Sequence, residues 1–138
     1  MNIIYVIFFL LFSNCENSSN DNLVKNNSLD NLNKKEFLIS GHWEYSKELF
    51  LREANKSNEP MIDLSEVSTI QMKINSDKTY ISYFGKQVKN GKWKINNNVL
   101  LMKRDDSSSW LEYKYTLNKN ELIIFDRNYI IALKRIYQ

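Results

Sequence analysis

"TIQMKINSDKTYISYFGKQVKNGKWKINNNVLLM" (residues 69–102) decides the fold. In its first run Ile70, Met72 and Ile74 alternate with Gln71 and Lys73. Period two is the pattern of a strand with one buried face. Turn formers interrupt the apolar residues: Asn75-Ser76-Asp77-Lys78, then Phe84-Gly85-Lys86-Gln87, then Asn90-Gly91 inside "VKNGKW", then Asn96-Asn97-Asn98. Asn, Asp and Gly tolerate the left-handed backbone that tight hairpins need. The stretch therefore reads as antiparallel strands in a row.

The pattern continues to both sides. In "WLEYKYTL" (110–117), Leu111, Tyr113, Tyr115 and Leu117 alternate with Glu112, Lys114 and Thr116. Turn signals follow at 105–109, 118–120 and 126–128. Upstream, in "GHWEYSKELFL" (41–51), Trp43, Tyr45, Leu49 and Leu51 share one face of a first strand. About eight strands with mostly short connections predict an all-β, up-and-down antiparallel barrel over residues 37–138. The exception is 52–68, "REANKSNEPMIDLSEVS", which holds the only proline, Pro60. It is either a loop over one mouth of the barrel or a solvated surface loop, with a short helical turn near 64–67.

Before the domain, residues 15–36 are rich in Asn, Ser and Asp. Such a composition buries too little apolar surface to offset its ordering entropy, and it reads as a disordered tether. Ahead of it Ile3–Phe12 is a run of ten apolar residues. As a helix that run spans about 15 Å, short of the roughly 20 residues that cross a bilayer. Residues 1–14 fit a secretory signal, although its start carries neither Lys nor Arg. Phe12-Ser13-Asn14-Cys15 then resembles a bacterial lipobox. That resemblance implies cleavage before Cys15, a diacylglycerol on its sulfur, an acyl group such as palmitate on the new amine, and a place in the cell envelope on the outer membrane. The alternative is a plain secretory signal with an incidental cysteine.

A second resemblance spans residues 38–138. Gly41-His42-Trp43 looks like the Gly-x-Trp signature of lipocalins. "INSDKTYISYF" (74–84), "NGKWKINNNVLLM" (90–102) and "LNKNELIIF" (117–125) resemble successive hairpins of small bacterial lipocalin-like lipoproteins. The family implies an eight-stranded, lipid-anchored barrel. Asp77-Lys78 departs from its usual Asp-Gly. On physical grounds Trp43 plugs the closed end and Gly41 admits a neighbouring backbone; Gly91 and Trp93 repeat the arrangement. Trp110 lies off the parity of Leu111 and Tyr113, partly exposed, and is the aromatic placed to touch a partner.

Chemistry is sparse. His42 is the only histidine, so a multi-histidine metal site is excluded. There is no glycine-rich phosphate loop and no nucleophile elbow. Asp105-Asp106 with Ser107–Ser109 reads as a solvated hairpin tip. No catalysis, metal or cofactor is expected. Cys15 is the only cysteine, which excludes an intramolecular disulfide. The formal charge of +3 is scattered, so nucleic acid is not an expected partner, and a monomer is expected.

Two functions remain. The barrel could hold a small apolar ligand, since an eight-stranded barrel is just wide enough to do so or to fill with side chains. The inward parity would then supply Ile70, Met72, Ile74, Leu111, Tyr113, Tyr115, Tyr129, Ile131 and Leu133. Alternatively the lumen is full and the domain is a protein-interaction module: an inhibitor, an immunity protein or an envelope-complex subunit. The chain has three Trp, eight Tyr and seven Phe, four of them in the apolar run, and rings in that number can fill a lumen.

Overall fold

The computed structural model describes residues 19–58, 60–64, 69–127 and 129–137. The expected signal region and Cys15 lie outside these residues. The chain divides into two compact units, Met1–Asn31 and Leu32–Gln138. In the first, the described residues 19–31 are the beginning of helix α1 (Ser19–Ile39). The second holds the end of α1, eight strands and a second helix.

The strands are β1 (Gly41–Tyr45), β2 (Ile70–Ile74), β3 (Thr79–Phe84), β4 (Gln87–Asn96), β5 (Val99–Arg104), β6 (Leu111–Leu117), β7 (Glu121–Asp126) and β8 (Tyr129–Ile136). Each pairs antiparallel with the next, and β8 closes on β1 with Trp43 opposite Arg135 and Tyr45 opposite Leu133. This is the expected eight-stranded up-and-down barrel. Asn97 and Asn98 both have positive φ, 46° and 67°, so the β4–β5 hairpin has the mirror-image turn that matches strand twist. Lys78 sits at φ 70°, doing with a side chain what glycine does without strain.

Asn90-Gly91 is not a turn. β4 runs straight through it, with Gly91 between Tyr80 on β3 and Arg104 on β5. A Cβ on Gly91 would stand 2.3 Å from the Lys103 carbonyl oxygen and 2.6 Å from the Tyr80 ring. Here glycine is required by close approach, not by chain reversal.

One further expectation changes. The first strand ends at Tyr45, and "KELFLREA" is helix α2 (Lys47–Ala54), so Leu49 and Leu51 do not continue the face of Trp43 and Tyr45. Ser46 is its N-cap and accepts from the Leu49 amide at 3.4 Å, while Glu48 and Arg52 complement the helix dipole at either end. α2 lies on the outside of the barrel and buries Leu49 and Phe50 against Ile123, Ile130 and Ala132. Upstream, helix α1 ends at Ile39, and the barrel unit begins at Leu32. Leu32 lies against the lumen core and Ile39 is fully buried within it. Such tertiary contacts, more than propensity, hold residues 32–39 of the helix.

The lumen core runs through Trp43, Met72, Ile74, Trp93, Leu100, Leu122 and Leu133. At the end where β1 begins, both tryptophans are closed in, Trp43 at 0% and Trp93 at 1% exposure. Trp43 Nε1 donates to the Ile39 carbonyl and Trp93 Nε1 to the Asn75 carbonyl, each at 2.9 Å. Gly41 faces Arg135 so closely that a Cβ there would lie 2.1 Å from Nη1.

Candidate functional site

The opposite end of the barrel carries a different lining. Strand register brings Tyr80, Tyr113, Tyr115 and Tyr129 to the inner surface together with Ile70 and Ile131. Tyr80 is buried, while Tyr113, Tyr115, Tyr129 and Ile131 are half-buried. Solvent therefore reaches this end of the lumen as it does not reach the tryptophan end.

Burial pushes the hydroxyls of Tyr80, Tyr113 and Tyr115 above their ordinary range. For Tyr129 a hydrogen bond to Asp126 is the main cause and burial adds to it. The rim cation Arg104 opposes the shift at Tyr80 and Tyr113, which places its charge within reach of both. At neutral pH the lining is thus four neutral phenols on an apolar wall, with Arg104, Asp105, Asp106 and Asp126 at the edge. The Tyr115 hydroxyl is buried and has no hydrogen-bond partner. An orphaned buried hydroxyl costs about 1–3 kcal/mol.

Part of the long connection lies against this end. Tyr45 Oη donates to Asp63 Oδ1 at 2.9 Å, and Lys47 Nζ lies 3.4 Å from Asp63 Oδ2. Burial and the Asp63 carboxylate both raise the Tyr45 pKa. Ile62 bridges to Tyr129, and Leu64 packs against the lumen core. So residues 62–64 of the long connection lie at one mouth of the barrel.

The sequence-predicted ligand residues divide. Ile70, Tyr113, Tyr115, Tyr129 and Ile131 meet at the tyrosine end; Met72 and Leu133 sit deeper, and Ile74 belongs to the tryptophan end opposite Gly41. Leu111 has the inward parity but is 51% exposed at the strand's start. Trp110 is 37% exposed, with Lys94 Nζ 4.5 Å above its ring. Sequence reasoning missed Tyr80, Tyr45 and Arg104. Tyr80 could have been found: it is two residues before Ser82 on a strand opposite Met72 and Ile74, so it shares their face. Among the described residues no group of three or more His, Cys, Asp and Glu could hold a metal ion, and no helix is long and apolar enough to cross a membrane. Neither the family models, nor the curated proteins, nor the solved structures yield a match to this chain.

Proposed function

We propose that this chain is a lipocalin-like lipoprotein of the bacterial cell envelope, anchored through lipid on Cys15, whose barrel binds a small, largely apolar molecule without catalysis. The observation that carries the reading is the tyrosine end of the lumen, where an apolar wall holds a buried hydroxyl on Tyr115 that lacks a partner. An amphiphile with one neutral or weakly polar head would cover the wall and complete that hydroxyl. A heavily charged ligand would lose its hydration along a wall of phenols and apolar groups, with charged partners only at the edge. Titration with fatty acids and fatty alcohols, followed by tryptophan fluorescence, tests this; tight binding of a sugar phosphate or a metal instead would overturn it. The anchor is tested separately: Cys15→Ser should release the protein from the membrane fraction, and a wild-type protein that carries no lipid by mass spectrometry would refute it.

A second reading rests on the rim. Tyr83, Phe84, Val88, Trp110 and Leu111 are exposed around the same end of the barrel. A protein partner seated there would make the domain an interaction module. Absence of any bound lipid after purification without detergent, and of any response in the titration, would favour it.

A further inference from the structure

The tryptophan end carries the two most exposed large apolar residues among those described, Phe37 at 81% and Tyr137 at 65%. Both line a groove of about 540 Å³ that also takes in Lys78, Lys119 and Arg135. Phe37 ends the last turn of α1, and Lys34, three residues earlier on the same side of that helix, is exposed too. Of the nearby acids, Glu36 pairs with Lys78, and Asp77 accepts from Thr79 and keeps its charge. Exposed rings beside exposed lysines are the make-up of a surface that sits at lipid headgroups, where rings enter the interface and cations meet phosphate.

We propose that this end of the barrel docks on an anionic bilayer surface, with Phe37 and Tyr137 entering the headgroup layer and Lys34 and Lys119 facing phosphates. The proposal rests on the Cys15 anchor. The 17 residues 15–31 have a reach on the order of 25 Å. The anchor therefore holds this groove at high effective concentration beside the membrane, so contacts too weak to recruit a free protein suffice. Docking in this pose points the tyrosine end of the lumen away from the membrane.

The lipidated full chain provides its own test, because a lipid-blocked Cys15 leaves an introduced cysteine as the only thiol. Phe37→Cys and, at the β3–β4 hairpin on the other end, Lys86→Cys are each labelled with a bimane dye. They are placed in vesicles of equimolar phosphatidylcholine and phosphatidylglycerol, with and without brominated chains. Quenching by brominated lipid several-fold stronger at position 37 than at 86, and reduced in pure phosphatidylcholine, is the expected result. Equal, weak quenching at both positions in protein that floats with the vesicles overturns docking and leaves the anchor standing. A label at 37 shielded from water-soluble quencher yet untouched by bromolipid also overturns it, in favour of a second copy of the chain. Failure of the wild-type chain to float at all overturns anchor and docking together.

Discussion

The guanidinium carbon of Arg135 lies 4.2 Å from the centroid of the Trp43 ring. The same side chain donates from Nη1 to the Ser40 carbonyl at 2.8 Å, from Nε to the Lys119 carbonyl at 2.7 Å, and from Nη2 to the Leu38 carbonyl. One residue of β8 thus fastens the end of α1, the start of β1 and the β6–β7 turn over the plugged end of the barrel. Arg135→Ala removes the stacked cation and orphans three carbonyls, so it should destabilise by about 2–4 kcal/mol in urea unfolding. Arg135→Lys should recover less than half of that, since an ammonium cannot reach three acceptors while stacked. A loss below about 1 kcal/mol for Arg135→Ala would mean that Ile39 and Trp43 hold this end unaided.

Gly91→Ala should cost more than a glycine substitution usually does in a strand. Its Cβ would meet the Lys103 backbone carbonyl, which cannot swing aside without breaking the β4–β5 ladder. A loss of about 2 kcal/mol or more is expected, in the range of overpacking. A neutral result would show that β5 is free to shift outward, and the lumen geometry beside Tyr80 with it.

The fold was legible because the lumen face alternates. β2 is buried at Ile70, Met72 and Ile74 and exposed at Gln71 and Lys73, as its sequence reads. What escaped was everything outside that face. β7 and β8 carry the unbroken runs Leu122-Ile123-Ile124-Phe125 and Ile130-Ile131-Ala132-Leu133, and Ile123, Ile130 and Ala132 are buried on the outer side. Continuous apolar runs mark strands covered on both faces. They announced a covering element, and α2 is that element. It was hidden because Trp43, Tyr45, Leu49 and Leu51 happen to keep period two across Ser46, where the chain changes from strand to helix. The tyrosine site was half legible: parity placed Tyr113, Tyr115 and Tyr129 and could have placed Tyr80, but no local pattern reveals that Arg104, at the end of the neighbouring β5, comes within reach of Tyr80 and Tyr113.

Phe50 tests the cover. It is 3% exposed and packs with Leu49 on Ile123, Ile130 and Ala132. Phe50→Ala should destabilise by about 3 kcal/mol, and Ser46→Ala, which removes only the cap, by about 1 kcal/mol. Urea midpoints of the two variants give the comparison. If Ser46→Ala is the worse of the two, the helix is held by its cap and not by packing.

Alkaline pH should unfold the protein early. Tyr80, Tyr113 and Tyr115 all have folded pKa values raised above the ordinary 10.0 by burial. Above pH 10 the unfolded chain loses these protons while the folded chain keeps them, so the unfolded state binds fewer protons and stability falls as pH rises. The stability these groups contribute is fully present below pH 10 and is lost as pH climbs through the folded values. Tyrosinate absorbance should therefore lag behind an exposed-tyrosine curve and then jump with the loss of circular dichroism. A smooth titration completed before unfolding would show that the lumen tyrosines are solvated.

Tyr115→Phe separates stability from binding. The hydroxyl it removes is buried without a partner, so its loss should leave stability unchanged or raise it by about 1 kcal/mol, the reverse of a usual core change. The ring stays, and the apolar wall with Ile124, its neighbour across the β6–β7 ladder, is kept. A ligand that completes the hydroxyl should lose about 1 kcal/mol of affinity, roughly five-fold in Kd, while a pure hydrocarbon should lose nothing. Thermal unfolding and fluorescence titration with a fatty alcohol and an alkane of equal length read the two effects. If the variant is destabilised by more than about 1 kcal/mol, the hydroxyl already has a partner, water included, and the argument for a polar-headed ligand at this end falls with it.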